Sequence, residues 1–371
     1  MKGNTDAAQA NNRRSFLRGS LATGAAIVGG TVLGKGNALA QDTSAVSTAL
    51  TKGDIAILRF LAAAELIESD LWQQYAELGG LTSGIPPEVD QNQQMNTYQA
   101  ALSNLDGDGP QYITSNTIDE ISHATFLNGY LQSKGADPVD FSEFETLQGS
   151  TASGARDVGR LTNLMHLNVD TSWFIRYRSA TNPDFGATYP QALNITNRTA
   201  IPRTDADLNG TPAHIQVIAN TAAFHFGYIE QGGSSLYQAL SQKVSSLEVL
   251  RILFGIGGDE VAHFLEWVDF AGNGVQVPVA PVSDDGLTFP NFFSPLNPLK
   301  QPSLIFPVPC EFISPNLPHC AVIRPSSDKF AGAVATIASF TADGLFVGQQ
   351  KKFLTVLQQM AEEADAAQRE C

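Results

Sequence analysis

Two short stretches of this chain set the same side chains in the same order. "DEISHA" at residues 119–124 and "DEVAHF" at residues 259–264 each place a Glu three positions ahead of a His, Glu120 with His123 and Glu260 with His263. On a helix, positions three apart lie on one face, one turn from each other, so both side chains of a pair can reach a single ion. Carboxylate oxygen and imidazole nitrogen together suit a divalent transition metal. Two such pairs leave a pair of ions short of ligands, and paired-metal carboxylate sites in helical proteins take one further Glu from each of two other helices. Aligning "AELIESDLW" (64–72) with "IEQGGSSLY" (229–237) sets Glu65 over Glu230, each followed seven positions later by an aromatic residue, Trp72 or Tyr237. The chain then reads Glu, Glu-x-x-His, Glu, Glu-x-x-His. Any one of the six alone is more simply a surface or satisfied polar residue; the doubling in matched order carries the metal reading.

Burial makes that reading physically pressing. Flanked by Ile118, Ile121, Phe126, Val261, Phe264 and Leu265, these charges are expected to face a core, where an unpaired carboxylate is costly. Two divalent cations would balance four Glu beside two neutral His; without metal, some of the Glu are expected to hold protons at neutral pH. Glu68, Glu77, Glu266 and Asp269 are expected on solvated faces. Asp119 and Asp259 point elsewhere on their helices and suit a supporting or capping role. His166, His214, His225 and His319 have no repeat partner, and His225, five residues before Glu230, is assigned to packing or support.

Four helices must bring these side chains to one level. Residues 54–78 carry Ile55, Leu58, Leu61, Ala62, Glu65, Leu66, Ser69 and Trp72 at three-and-four spacing, which predicts one buried face. The second helix is predicted at 112–134, ending at Gly135. The third runs from a Thr211 cap with Pro212 in first position to residue 242, and the fourth spans 246–271, stopped by Gly272 and Gly274. With a turn at Ser245 and Ser246, Glu230 lies fifteen residues before it and Glu260 fourteen after it. At ~1.5 Å of rise per residue both sit about 22 Å from the turn, level with each other. The same rule sets the first turn at "DGDG", residues 106–109, and makes 79–105 an insertion. Two more helices are predicted near 92–105 and 155–180, and a loop over 181–210. Prolines exclude helix over 274–327, yet Phe289, Phe292, Phe293, Leu304 and Phe306 make that stretch apolar enough to wrap over a surface. Helical character returns over 347–368.

The chain's start is of another kind. "NNRRSFLR" (11–18), a weakly apolar glycine-rich run, and Ala38, Leu39 and Ala40 before Gln41 resemble a twin-arginine export signal with its cleavage site. Residues 1–40 then stand outside the fold. Removing their five basic residues and one acidic residue takes the net charge from −15 to −19. So acidic a chain disfavours nucleic acid and anionic membrane surfaces, and no other stretch is long and apolar enough for stable membrane insertion after cleavage. Cys310 and Cys320 flank a short proline-rich loop and are expected to form a local disulfide in an oxidising space. A zinc site from Cys310, His319 and Cys320 lacks the paired spacing and a fourth ligand. Cys371 has no obvious partner. No Ser-His-Asp series, phosphate loop or dinucleotide fingerprint competes for the chain.

Glu65, "EISH" (120–123), Glu230 and "EVAH" (260–263) resemble the ligand set of the ferritin-like superfamily. The wording around them is closest to the exported ferritin-like proteins grouped with plant desiccation-related and fungal stress-response proteins. "LTNLMHLNVDTSWFIRYRSA" (161–180) and "TADGLFVGQ" (341–349) are similar to that group too. The resemblance implies an all-α protein: a four-helix bundle over residues 50–272, with a long crossover between its second and third helices at 135–211, then a proline-rich, partly helical extension over 273–371. It implies two divalent transition metal ions, iron or manganese, and a small-molecule partner: oxygen, peroxide or ferrous iron. The expected chemistry is ferroxidase, peroxidase or catalase-like redox in stress or desiccation protection, in the periplasm or outside the cell. A protein of another class, structural or binding, that uses metal only to hold its bundle together is the alternative. Oligomeric state is left open. "QGGSS" (231–235) departs from the pattern, since two glycines weaken a helix, and it predicts a bulge or an opening.

Overall fold

A computed structural model describes residues 50–81, 95–176, 190–273, 281–290, 307–308, 314, 316–318, 320–321 and 332–370. The export signal, Cys371 and the Cys310–Cys320 pairing, which needs Cys310, lie outside the described residues, as do Phe292, Phe293, Leu304 and Phe306.

The fold is mostly helical. Helix α1 is Lys52–Gly79, started by Thr51, whose hydroxyl accepts the Asp54 N–H at 3.0 Å. A short α2, Thr97–Leu105, opens on a reciprocal cap between Asn96 and Gln99. Helix α3 is Gly109–Ser133. Helix α4, Pro212–Ser241, is capped by Thr211, and α5, Leu247–Val268, by Ser246. Two further helices, α6 (Ala333–Asp343) and α7 (Lys351–Asp365), close the chain. Among the described residues no helix is long and apolar enough to cross a membrane.

The four long helices run antiparallel to their neighbours. Across α1 and α3, Ser69 donates to the Glu120 carbonyl and Thr117 to the Trp72 carbonyl, and just past α3 the Asp137 carbonyl accepts from Arg59 at 2.8 Å. Between α4 and α5, Gly257 lies on Tyr237 and Gly233 on Glu260. Tyr75 meets His225 across α1 and α4, while α3 and α5 are joined by Lys134–Glu248 at one end and Asn116–Trp267 at the other. Beside the acidic level lies an aromatic core in which Trp72 stacks on Phe226 and on Trp267, with ring centres 4.9 and 5.3 Å apart. The buried Asp54 carboxylate accepts the Ser245 and Ser246 N–H groups, tying the start of α1 to the α4–α5 turn.

Several expectations need correction. The helix predicted over 155–180 is absent from the described part, apart from one turn, Trp173–Arg176. Its backbone is bound from elsewhere: Asp70 accepts the Thr162 N–H, Glu77 that of Arg156, and the Leu345 and Asp343 carbonyls those of Asn163 and Asn168. Gly159–Arg160 instead pairs antiparallel with Leu147–Gln148. The same packing corrects Glu77, expected in water: the connection from α3 to α4 covers the outer side of α1 and buries it against Arg160. Glu68, also expected in water, is buried on the inner side of α1, beside Glu65 and Glu120. Glu266 and Asp269 are half-buried. Ile118 and Phe126, expected against a core, are 42% and 52% exposed, because their offsets from Glu120 turn them to the opposite side of α3. Of the apolar flank, only Phe264 is buried; Ile121, Val261 and Leu265 are partly exposed. The tail helix begins at Lys351, with α6 a separate helix before it. Of the proline-rich stretch, the hairpin Val282–Asp284 with Leu287–Phe289 turns at Asp285 and Gly286, both at positive φ, and sets Phe289 against Phe224 of α4.

Candidate metal centre

All six side chains singled out by spacing meet at one level inside the four long helices, each no more than 7% exposed. They form two overlapping groups, each with one ligand atom per residue and those atoms within 4.8 Å of one another. Glu65, Glu120, His123 and Glu260 make one; Glu120, Glu230, Glu260 and His263 make the other. Glu120 and Glu260 therefore belong to both, while Glu65 and Glu230 stand at opposite ends, each beside one histidine. His123 Nδ1 lies 3.4 Å from Glu65, 3.3 Å from Glu120 and 3.7 Å from Glu260. His263 Nδ1 lies 3.1 Å from Glu120 and 3.4 Å from Glu230.

The outer nitrogens are held crosswise. His123 of α3 meets Asp259 of α5 through Nε2 at 3.1 Å, and His263 of α5 meets Asp119 of α3 through Nε2 at 3.4 Å. A carboxylate only accepts, so each Nε2 carries hydrogen and each Nδ1 is turned toward the cluster, the orientation that a carboxylate bound to the outer nitrogen imposes on metal-binding histidines. The two Asp residues, weak candidates in the sequence because they leave the ligand face of their own helix, act on the neighbouring helix.

Two other contributors were not legible. The Asn116 amide donates to Glu120 at 2.9 Å and to Glu230 at 3.2 Å, and its orientation is set by the Trp267 indole N–H donating to its oxygen at 2.8 Å. Asn116 precedes Glu120 by four residues, but the matching place before Glu260 is Ile256, so the repeat does not flag it. Tyr237, visible in the sequence only as an aromatic aligned with Trp72, donates its hydroxyl to Glu65. Burial and the neighbouring Glu65 charge push its phenol well above the ordinary value, so it donates without ionising.

Within this acidic cluster several buried carboxylate oxygens have no hydrogen-bond partner among the described residues: one each on Glu65, Glu68 and Glu230, and both on Glu260. Buried acceptors are rarely left so, and oxygens converging on two histidine nitrogens fit divalent cations. Without cations the electrostatics are unfavourable. Burial, then the charge of Glu230, raises Glu120 to about 7. Glu260 and Glu68 are likewise pushed well up by burial and by Glu120. Burial opposes the charged form of His123, yet hydrogen bonds to Asp259, Glu120 and Glu65 prevail and raise it to about 12; the Glu230 charge and Asp119 raise His263 in the same way.

The two glycines of "QGGSS" make no bulge, since α4 continues unbroken from Pro212 to Ser241. A Cβ on Gly233 would fall 2.1 Å from Glu260 Oε2, so the missing side chain makes room for the carboxylate common to both groups. Gly233→Ala gains helix propensity of about 1 kcal/mol while displacing that carboxylate. It is expected to keep helicity and thermal stability but to weaken metal binding roughly tenfold or more, the scale seen when a group that holds a metal ligand in place is disturbed. Competition against a chelator measures this, and unchanged affinity would mean that Glu260 is not held there for metal. On the outer side, a groove of about 810 Å³ between α3 and α5, walled by Phe126, Tyr130, Ile252 and Ile256, reaches His123 and Asp259.

No family model matches this chain, nor does any curated protein or solved structure.

Proposed function

We propose that this chain is an exported ferritin-like protein with a paired-metal carboxylate centre that acts on oxygen, peroxide or ferrous iron in stress protection. The observation that carries the reading is the pair of four-residue groups sharing Glu120 and Glu260, with buried oxygens left over for cations. Four antiparallel helices joined by a crossover from α3 to α4 support the ferritin-like part. Glu65 and His123 would hold one ion and Glu230 and His263 the other, with Glu120 and Glu260 common to both. When bound, iron or manganese supplies redox and Lewis-acid chemistry. Asp119 and Asp259 aim the histidines, Asn116 and Tyr237 orient the carboxylates, and the aromatic core keeps bulk water away. The groove beside His123 and Asp259 is wide enough for a small substrate. Export rests on Arg13, Arg14 and the Ala38-Leu39-Ala40 site.

One feature favours a second reading, a structural centre: the ligands come from all four long helices, so ions there would cross-link the whole assembly. Elemental analysis followed by assays of oxygen and peroxide consumption separates the two. About two transition metal ions per chain, one per group, together with turnover supports the enzyme. Metal without turnover supports the structural centre, and absence of metal sinks both. The material should be exported protein beginning at Gln41; a chain still starting at Met1 removes the export part.

A further inference from the structure

A second buried polar assembly lies beyond the carboxylates, at the far side of the aromatic core. Tyr75 of α1 places its hydroxyl 2.7 Å from Nδ1 of His225 on α4, and His225 Nε2 lies 3.0 Å from Asp343 at the end of α6. All three are at most 2% exposed. Asp343 is an acceptor, so His225 Nε2 carries hydrogen; the Tyr75 hydroxyl then donates to Nδ1, its one hydrogen-bond partner among the described residues. This is a phenol aimed at a base whose developing charge faces a carboxylate. Burial holds the Tyr75 phenol well above its ordinary value, so simple ionisation is disfavoured.

A chain of contacts joins this triad to the carboxylates. The Tyr75 ring lies 5.6 Å from Trp72, which stacks on Trp267 at 5.3 Å, and Trp267 donates through its indole N–H to Asn116, which donates in turn to Glu120 and Glu230. The indole N–H of Trp72 has no acceptor among the described residues, and that of Trp267 faces an amide oxygen, which is no base. Neither tryptophan can shed a proton on oxidation. Along this path only Tyr75 is paired with a base, so an electron vacancy that travels it through the tryptophans comes to rest there.

We propose that Tyr75 is a redox-active tyrosine that gives one electron, through Trp72 and Trp267, to an oxidised transition metal ion at the carboxylate cluster while passing its proton to His225. The inference rests on the paired-metal reading. The O–H bond of Tyr75 breaks and an N–H bond forms at His225 Nδ1. The phenol becomes a neutral tyrosyl radical, the imidazole an imidazolium facing Asp343, and the metal ion is reduced by one electron. Tyr75 thereby adds one reducing equivalent to those of the ions. Asp343 is a positioning residue.

The full chain is first analysed for iron, then oxidised in two arms: iron-loaded protein freeze-trapped after hydrogen peroxide, and metal-stripped protein flash-oxidised by photogenerated ruthenium(III) tris-bipyridyl. A long-lived tyrosyl signal in electron paramagnetic resonance is expected. It should vanish in Tyr75→Phe, which keeps the ring and the iron content, and fall roughly a hundredfold in His225→Gln, the loss typical of removing a positioned base. A signal that survives Tyr75→Phe, or no long-lived signal in either arm, overturns the inference. A chain that takes up no iron removes the proposed centre, and the ruthenium arm alone then decides the fate of Tyr75. Iron bound without a Tyr75-dependent radical removes this inference and leaves the centre.

Discussion

Glu120→Ala is expected to empty both halves of the centre, whereas Glu65→Ala empties one. Glu120 and Glu260 supply oxygens to both four-residue groups, while Glu65 and Glu230 each serve a single group. Removing a shared carboxylate leaves each half with three ligands, takes one negative charge from both, and deprives Asn116 and both histidines of a partner. Removing Glu65 leaves Glu120, Glu230, Glu260 and His263 complete. Elemental analysis after extensive dialysis should therefore find metal near zero for Glu120→Ala and near half the wild-type content for Glu65→Ala, with circular dichroism showing both folded. Equal retention by the two variants would mean that the halves do not share ligands. Glu120→Gln adds a control in the opposite direction. Without metal it relieves repulsion in a buried acidic cluster, so the stripped variant should melt above the stripped wild type at pH 8.

Stripped of metal, the wild-type protein is expected to lose stability steadily as pH rises from about 5 to 8. The folded state holds Glu120 at about 7, against an ordinary glutamate value of 4.5. Between those values the folded form binds more protons than the unfolded one, so stability falls with pH. At 1.36 kcal/mol per pK unit, that carboxyl alone accounts for roughly 3 kcal/mol across the window. Glu260 and Glu68, both raised, act in the same direction. His123, raised to about 12 from 6.5, contributes stability that is complete below about 6.5 and is lost as pH climbs toward 12, and His263 follows the same sign. Cations replace these protons, so the loaded protein should show a nearly flat melting temperature from pH 6 to 8, with metal affinity rising with pH. Thermal melts with and without metal check both; a stripped protein as stable at pH 8 as at pH 5 would mean that the carboxylates are not crowded as the geometry requires.

What was legible in the residue order was whatever repeats locally. Thr211 before Pro212, Ser246 before Leu247 and the "DGDG" turn mark helix ends by their own backbone chemistry, and the bounds of α4 and α5 fall within a few residues of the expected ones. The matched offsets of Glu230 and Glu260 from their turn, with the Glu-x-x-His spacing, sufficed to bring six side chains to one level.

Burial of the outer face of α1, the irregular path of residues 155–172, and the Asn116, Tyr237 and Asp119–Asp259 contacts were decided by tertiary structure. In each, the partner lies on another element: Glu77 is buried because Arg160 returns to it across the crossover, and residues 161–168 stay non-helical because the Asp70 carboxylate and the Leu345 and Asp343 carbonyls bind N–H groups there. Gly233 shows the limit most directly. Its lack of a side chain reads in one dimension as a weak point of a helix, and becomes the space for Glu260 only when α5 lies against it. Periodicity and capping act within a few residues of chain and can be read from it; hydrogen bonds and close packing between distant segments depend on which faces meet, and that is settled only when the helices pack.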